Sequence, residues 1–144
     1  MGQTYFIREG KLADTTTDFE LEYGSPLPYY YSVGGKYPKN SSTLLKEVKE
    51  FGKKQNHTYS GSGYITFRFV VDTTGSMKNK VKVMQTNDDY KAQLFDRGLV
   101  NELFAYLYTL NKWPVARYRT GEALEYISFI MFKLKNGKVI NIIP

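Results

Sequence analysis

Cysteine is absent from the 144 residues and histidine occurs once, at His57. Without thiols there is no disulfide framework, no thiolate nucleophile and no metal site of the Cys or clustered-His kind. No cofactor or metal is expected. Proline is scarce at five residues, which excludes a long Pro-rich spacer within the chain. No run approaches the ~20 consecutive apolar residues of a membrane helix, and Met1, Gly2, Gln3 and Thr4 show neither the basic nor the apolar region of a leader. No membrane span, signal or anchor is therefore expected in the chain as given. Acidic side chains are in deficit, 14 against 20 Lys and Arg, and the tight pair Asp88 and Asp89 sits where a helix is expected to begin, which favours capping over metal binding.

What is abundant is aromatic: 13 Tyr, 9 Phe and one Trp, enough large rings to fill one core with few aliphatics. The length suits a single compact domain. Residues 1–40 read as a strand-and-loop arm, with a turn at Glu9, Gly10 and Lys11, and with Tyr29, Tyr30 and Tyr31 ahead of Gly34 and Gly35. Residues 41–144 carry all of the positive balance, 16 basic against 9 acidic side chains.

The pattern within 41–144 predicts α+β. Asn40, Ser41, Ser42 and Thr43 offer N-caps for a short helix over 43–54, with Leu44, Leu45, Val48 and Phe51 at three- and four-residue spacing and Glu50 placed to pair with Lys54. Ile65, Phe67, Phe69 and Val71 alternate, Asp72 to Gly75 form a turn, and 78–85 alternates again, giving a β-hairpin with one buried face. Lys78, Lys80 and Lys82 share a face of that hairpin, read either as a solvated surface or as a site for an acidic partner or membrane surface. A helix of about five turns is predicted over 91–111, with Phe95, Leu99, Leu103, Tyr106 and Leu110 as its stripe, Val100, Phe104 and Leu107 widening it, and Gly98 marking a close approach. Trp113 and Pro114 end it. A strand over 124–134 is apolar on both faces, so something must cover the second, and Asn136-Gly137 predicts a turn into a last strand over 138–143.

Enzyme signals are missing. Gly61, Ser62 and Gly63 lead into a strand, whereas phosphate cradles lead into helices. No serine lies in a nucleophile elbow, Glu122 and Glu125 fall on opposite faces of a loop-to-strand segment, and His57 lies in a loop beside no evident acid. Nucleic-acid binding through Tyr64, Arg68 and the three lysines is not expected, because the hairpin's aromatics fall mostly on the face of Ile65 and Val71.

The ordered set Gly63 to Val71 followed by Asp72 and Gly75, the long helix ending in Trp113, the loop Arg119-Thr120-Gly121, and Ile127 to Leu134 resembles the C-terminal domain of TonB-type energy transducers, nearest to the short Bacteroidetes-like forms. The resemblance spans about 41–144. It implies a small antiparallel sheet, hairpin plus C-terminal strand, packed against one long helix with a short helix before it. It further implies a periplasmic binding module that takes an extended, TonB-box-like peptide of an outer-membrane transporter by β-augmentation. The implied edge strand comprises Tyr126, Ile127, Ser128, Phe129, Ile130, Met131, Phe132 and Lys133, flanked by a basic loop with Arg117 and Arg119. The alternative is a self-associating interaction protein, a homodimer for instance, whose edge is closed by its own strand 138–143 or by a second subunit. The Tyr-rich end of the arm is the candidate cover for the second apolar face.

Overall fold

The hairpin beginning at Gly63 organises the rest of the molecule. The computed structural model describes residues 6–10, 27–55 and 57–144. In chain order these form β1 (Phe6–Gly10), a 3-10 turn (Tyr30–Ser32), α1 (Ser41–Gln55), β2 (Gly63–Val71), β3 (Met77–Thr86), α2 (Arg97–Thr109), β4 (Ala116–Arg117), β5 (Ala123–Leu124), β6 (Tyr126–Lys135) and β7 (Lys138–Ile143). The main sheet runs β1-β3-β2-β6-β7, with β4 and β5 pairing separately. The four strands β3, β2, β6 and β7 are antiparallel, and β1 joins β3 in parallel. The fold is α+β. The turn expected at Glu9 and Gly10 is instead the end of β1; Lys11 and the arm up to Pro26 lie outside the described residues.

Asp72 closes the β2–β3 turn by accepting hydrogen bonds from the Thr74 amide (2.8 Å), the Thr74 hydroxyl (2.6 Å) and the Ser76 amide (3.0 Å). Partial burial works to raise the Asp72 pKa, but these bonds and the nearby Lys78 outweigh it and hold the carboxyl below its ordinary 3.8. The carboxylate's contribution is present above that ordinary value and lost as pH falls through the lowered folded one. Asp72→Ala is expected to cost about 1 kcal/mol after discounting for solvent exposure, a deficit against wild type that urea denaturation should show at pH 7 and that should shrink as pH falls below 3.8.

β2 is the central strand, so the one-faced hairpin of the sequence reading is corrected. Ile65, Phe67, Phe69 and Val71 face the helices, while Thr66, Arg68 and Val70, on the other face, are buried as well. On that second face Leu27 and Tyr29 pack on Val70 and Ile127, and the Tyr30 ring stands edge-on to Phe129 at 5.4 Å. Arg68 lies in register with Lys82 and its guanidinium carbon is 5.8 Å from the Tyr29 ring. The solvated reading of the three lysines holds only in part. Lys78 is exposed and pairs with Glu125 at 2.6 Å, Lys80 is half-buried, and Lys82 is buried.

α1 spans 15 residues and α2 13, so the helix expected to be short is the longer one. Asn40 caps α1 by accepting from the Thr43 amide at 2.9 Å, Leu44 and Val48 enter the core, and Glu50 bonds Lys53 rather than Lys54. α2 starts six residues later than periodicity suggested. The preceding segment is claimed by β3: Gln93 N–H donates to the Gln85 carbonyl (3.2 Å) and Phe95 N–H to the Gln85 side chain (2.9 Å). Asp96, not Asp88 or Asp89, is the cap, accepting from Gly98 N–H at 2.7 Å, while Asn87 organises the earlier turn by accepting from the Asp89 and Lys91 amides. Gly98 thus stands in the first turn, and a Cβ there would lie 3.1 Å from the Tyr59 hydroxyl.

The stripe Leu99, Leu103, Tyr106 and Leu107 is buried on the sheet, each of the aliphatics being worth about 1.5–3 kcal/mol of burial. Tyr106 ties the helices together by donating to the Glu47 carboxylate at 3.1 Å, and burial, reinforced by Glu47, holds its phenol protonated far above the usual range. Trp113, four residues beyond α2, packs between Tyr37 (4.5 Å) and Phe69 (5.1 Å) and so fastens the chain back to the sheet.

Candidate functional site

The eight residues expected to form an open edge lie on β6, and β6 is interior. One side pairs with β2 along its length, from Leu134 opposite Gly63 to Tyr126 opposite Val71. On the other side β7 takes Met131, Phe132 and Lys133, opposite Ile143, Ile142 and Asn141. Nearer the start of β6, the Ile127 amide donates to the Pro28 carbonyl at 2.8 Å and Ile127 bridges Tyr29 in parallel. Ser128, Phe129 and Ile130 form the interval between these two covers. The edge expected at Met131, Phe132 and Lys133 is therefore corrected: it is closed by the chain's own last strand.

The physical cause is local and then tertiary. Asn136 and Gly137 both adopt positive φ, +52° and +76°, the left-handed pair that turns a two-residue hairpin. The returning strand then buries Ile142 completely in the main core. The outermost strand at this end of the sheet is thus β7, which carries Ile140 and Ile143 at 42% and 44% exposure.

Side chains of β6 divide by register. Tyr126, Ser128, Ile130 and Phe132 lie opposite Val71, Phe69, Phe67 and Ile65 on the helix-facing side, all buried. Ile127 is buried on the second face, with Phe129, Met131 and Lys133 half-buried there. The Tyr126 hydroxyl donates to the Pro114 carbonyl at 2.7 Å, and burial pushes its pKa up to about 12, so it stays a donor at any physiological pH. Lys133 sits 5.8 Å from the Tyr64 ring, which stacks on Tyr90 at 5.1 Å.

The basic loop is the tip of the β4–β5 hairpin, immediately before β6. Arg117 spends its guanidinium on the Gly121 carbonyl at 2.9 Å within that hairpin, while Arg119 is exposed at the tip. Glu125 is engaged by Lys78.

His57 does have an acid nearby, contrary to its reading as a loop histidine without one. Its Nδ1 lies 3.6 Å from Glu102 Oε1 and 3.2 Å from the Tyr59 hydroxyl. Burial raises the Glu102 pKa, opposed by His57 and Tyr59, and burial with the Glu102 charge raises that of Tyr59. The cluster joins the loop after α1 to the middle of α2. Forty-five positions separate His57 from Glu102, so no local signal joined them.

Among the described residues no group of three or more His, Asp or Glu side chains could hold a metal, and no helix is long and apolar enough to cross a membrane. The class defined by fold and site is an α+β domain whose strand β7 covers the second half of β6 and itself forms the outer edge of the sheet. Comparisons with protein-family models, with curated proteins and with solved structures give no match to this chain. The resemblance to the TonB C-terminal domain rests on the ordered motifs of the sequence.

Proposed function

We propose that this chain is a non-enzymatic binding module that takes an extended peptide by β-augmentation, in the periplasmic setting and with the transporter-derived, TonB-box-like partner that the TonB resemblance implies. The observation that carries the reading is the C-terminal edge of the sheet. β7 is the last strand there and exposes Ile140 and Ile143. The outer side of such a strand offers N–H and C=O groups that an incoming segment satisfies, with alternate side chains supplying selectivity. The acceptor is accordingly 138–143 in place of 126–133.

Amide-resolved NMR titration with TonB-box-like peptides tests this. Shifts are expected over 138–143, and Ile140→Lys, which puts a charge on the edge, is expected to weaken binding about tenfold, equivalent to ~1.4 kcal/mol. Shifts confined to other elements, or none, would sink the proposal. The same apolar edge supports a second reading, pairing of β7 with β7 of another copy. A mass that stays monomeric by light scattering as concentration rises dismisses it.

A further inference from the structure

A cavity of about 370 Å³ opens between α1 and α2, against the start of β7 and the loop after α1. The volume is within the ~300–1,000 Å³ of small-molecule sites. Its lining combines buried apolar residues with exposed charged ones. Val48, Phe51, Leu99, Leu103 and Val139 supply apolar lining, of which Val48, Leu99 and Leu103 belong to the buried core. One wall is polar, made by His57, Tyr59 and Glu102. Lys49, Lys53 and Lys138 also line the cavity and are all exposed, so they belong to its solvent side. Lys53 shares its charge with Glu50 at 3.4 Å, whereas Lys49 and Lys138 form no ion pair among the described residues.

An apolar lining with a cationic solvent side selects one ligand class. A cation would have to pass three like charges to reach Glu102, whose Oε1 is itself buried without a hydrogen-bond partner and faces His57. A neutral apolar molecule gains the lining but nothing from the lysines. A molecule with an anionic head and an apolar body uses both, and low-dielectric walls strengthen the attraction at the mouth.

We propose that this cavity binds a small anionic amphiphile, a monocarboxylate with a medium-length acyl body, its head at Lys49, Lys53 and Lys138 and its body against Phe51, Leu99, Leu103 and Val139. The site shares Lys138 and Val139 with the start of β7 but does not depend on the peptide-binding reading, whose edge residues Ile140 and Ile143 lie outside the cavity. Gly52 is the position that tests it. It lines the cavity, and a Cβ there would meet only Glu102 Oε2, at an ordinary 3.5 Å. Leucine is also a better helix former than glycine, so Gly52→Leu is expected to fold while filling the space.

The experiment is calorimetric titration of the full chain with sodium octanoate, with 1-octanol as the uncharged probe. Octanoate is expected to bind with Kd on the order of 0.1–1 mM, as suits a ligand of its size, and octanol at least tenfold more weakly at low salt. Added salt should narrow that difference. Lys49→Gln with Lys138→Gln, two surface changes that leave the core intact, should weaken octanoate about tenfold and leave octanol unaffected. Gly52→Leu, with its thermal unfolding checked in parallel, should abolish both. Equal binding of the two probes, full affinity in the double lysine variant, full affinity in a folded Gly52→Leu, or no octanoate binding by 10-fold above the expected range would each overturn the assignment.

Discussion

Replacing Phe67 by alanine is expected to lower the unfolding free energy by about 3–5 kcal/mol, the range for a large buried ring that leaves a cavity. Phe67 is fully buried on the central strand, opposite Val83 on one side and Ile130 on the other. Its ring meets Phe104 of α2 and Phe132 of β6, each at 5.8 Å between centroids. The side chain therefore joins both neighbouring strands to the helix layer, and none of these partners can collapse into the space without leaving its own contacts. A domain of this size has about 5–15 kcal/mol in total, so the variant should stand close to unfolding. Urea denaturation reads the effect as a fall in the midpoint with the slope unchanged. A loss below ~1.5 kcal/mol would mean that the core repacks around the gap and that the Phe67–Phe104–Phe132 contact is not what fixes the layers.

Gly137→Ala is expected to cost about 2–4 kcal/mol, from two sources that a second variant separates. The first is conformational: φ at Gly137 is +76°, where a side chain is strained by about 1–3 kcal/mol. The second is contact, since a Cβ would fall 2.0 Å from the Tyr59 carbonyl oxygen and 2.7 Å from the Ser60 amide nitrogen. Both are backbone atoms. They cannot swing aside, because the turn and the loop are clamped by Gly137 N–H to the Gly61 carbonyl at 2.7 Å and by Asn136 N–H to Ser62 Oγ at 3.0 Å. Gly121 has φ of +97° with open space around it, so Gly121→Ala carries the strain without the clash and should cost ~1–2 kcal/mol. Thermal unfolding of both variants decides the matter: equal losses would show that the loop yields and that the clamp is weak. Because the same loop carries Tyr59, a strong effect at Gly137 also ties the wall of the cavity to the pairing of β7 with β6.

How far the sequence reached depends on the distance over which each signal acts. The alternation of Ile65, Phe67, Phe69 and Val71, the spacing of Leu99, Leu103 and Leu107, and the Asn136-Gly137 turn are local, and the elements they predict are present. The α2 boundary failed because Gln85, near the end of the preceding strand and ten positions away, takes the Phe95 amide while Ala92 bridges Thr86, which keeps 91–96 with β3. Lys82 failed for a related reason. Period-2 spacing places it on a face but carries no information on what lies over that face, and there it is buried.

The site shows the same division. Two apolar faces on 126–133 announced a covered strand, and Leu27 with Tyr29 and Tyr30 supplies the cover at Ile127 and Phe129. Which strand ends the sheet was open, since a hairpin signal states that 138–143 returns without stating that Ile142 is worth more in the core than the edge is worth exposed. Glu102 beside His57 was not legible, because a carboxylate on a helix and an imidazole in a loop 45 positions away share no pattern.

By itself the sequence determined the α+β class, the two helices and the hairpins, and the absence of thiol chemistry, because propensity, periodicity and composition act within a few residues. Only the tertiary structure decided that β7 covers the second half of β6, that β2 is buried on both faces, and that three lysines line a cavity between α1 and α2. Those outcomes rest on burial and pairing between segments far apart in the chain, where the free energy of a position depends on the neighbours the fold brings to it.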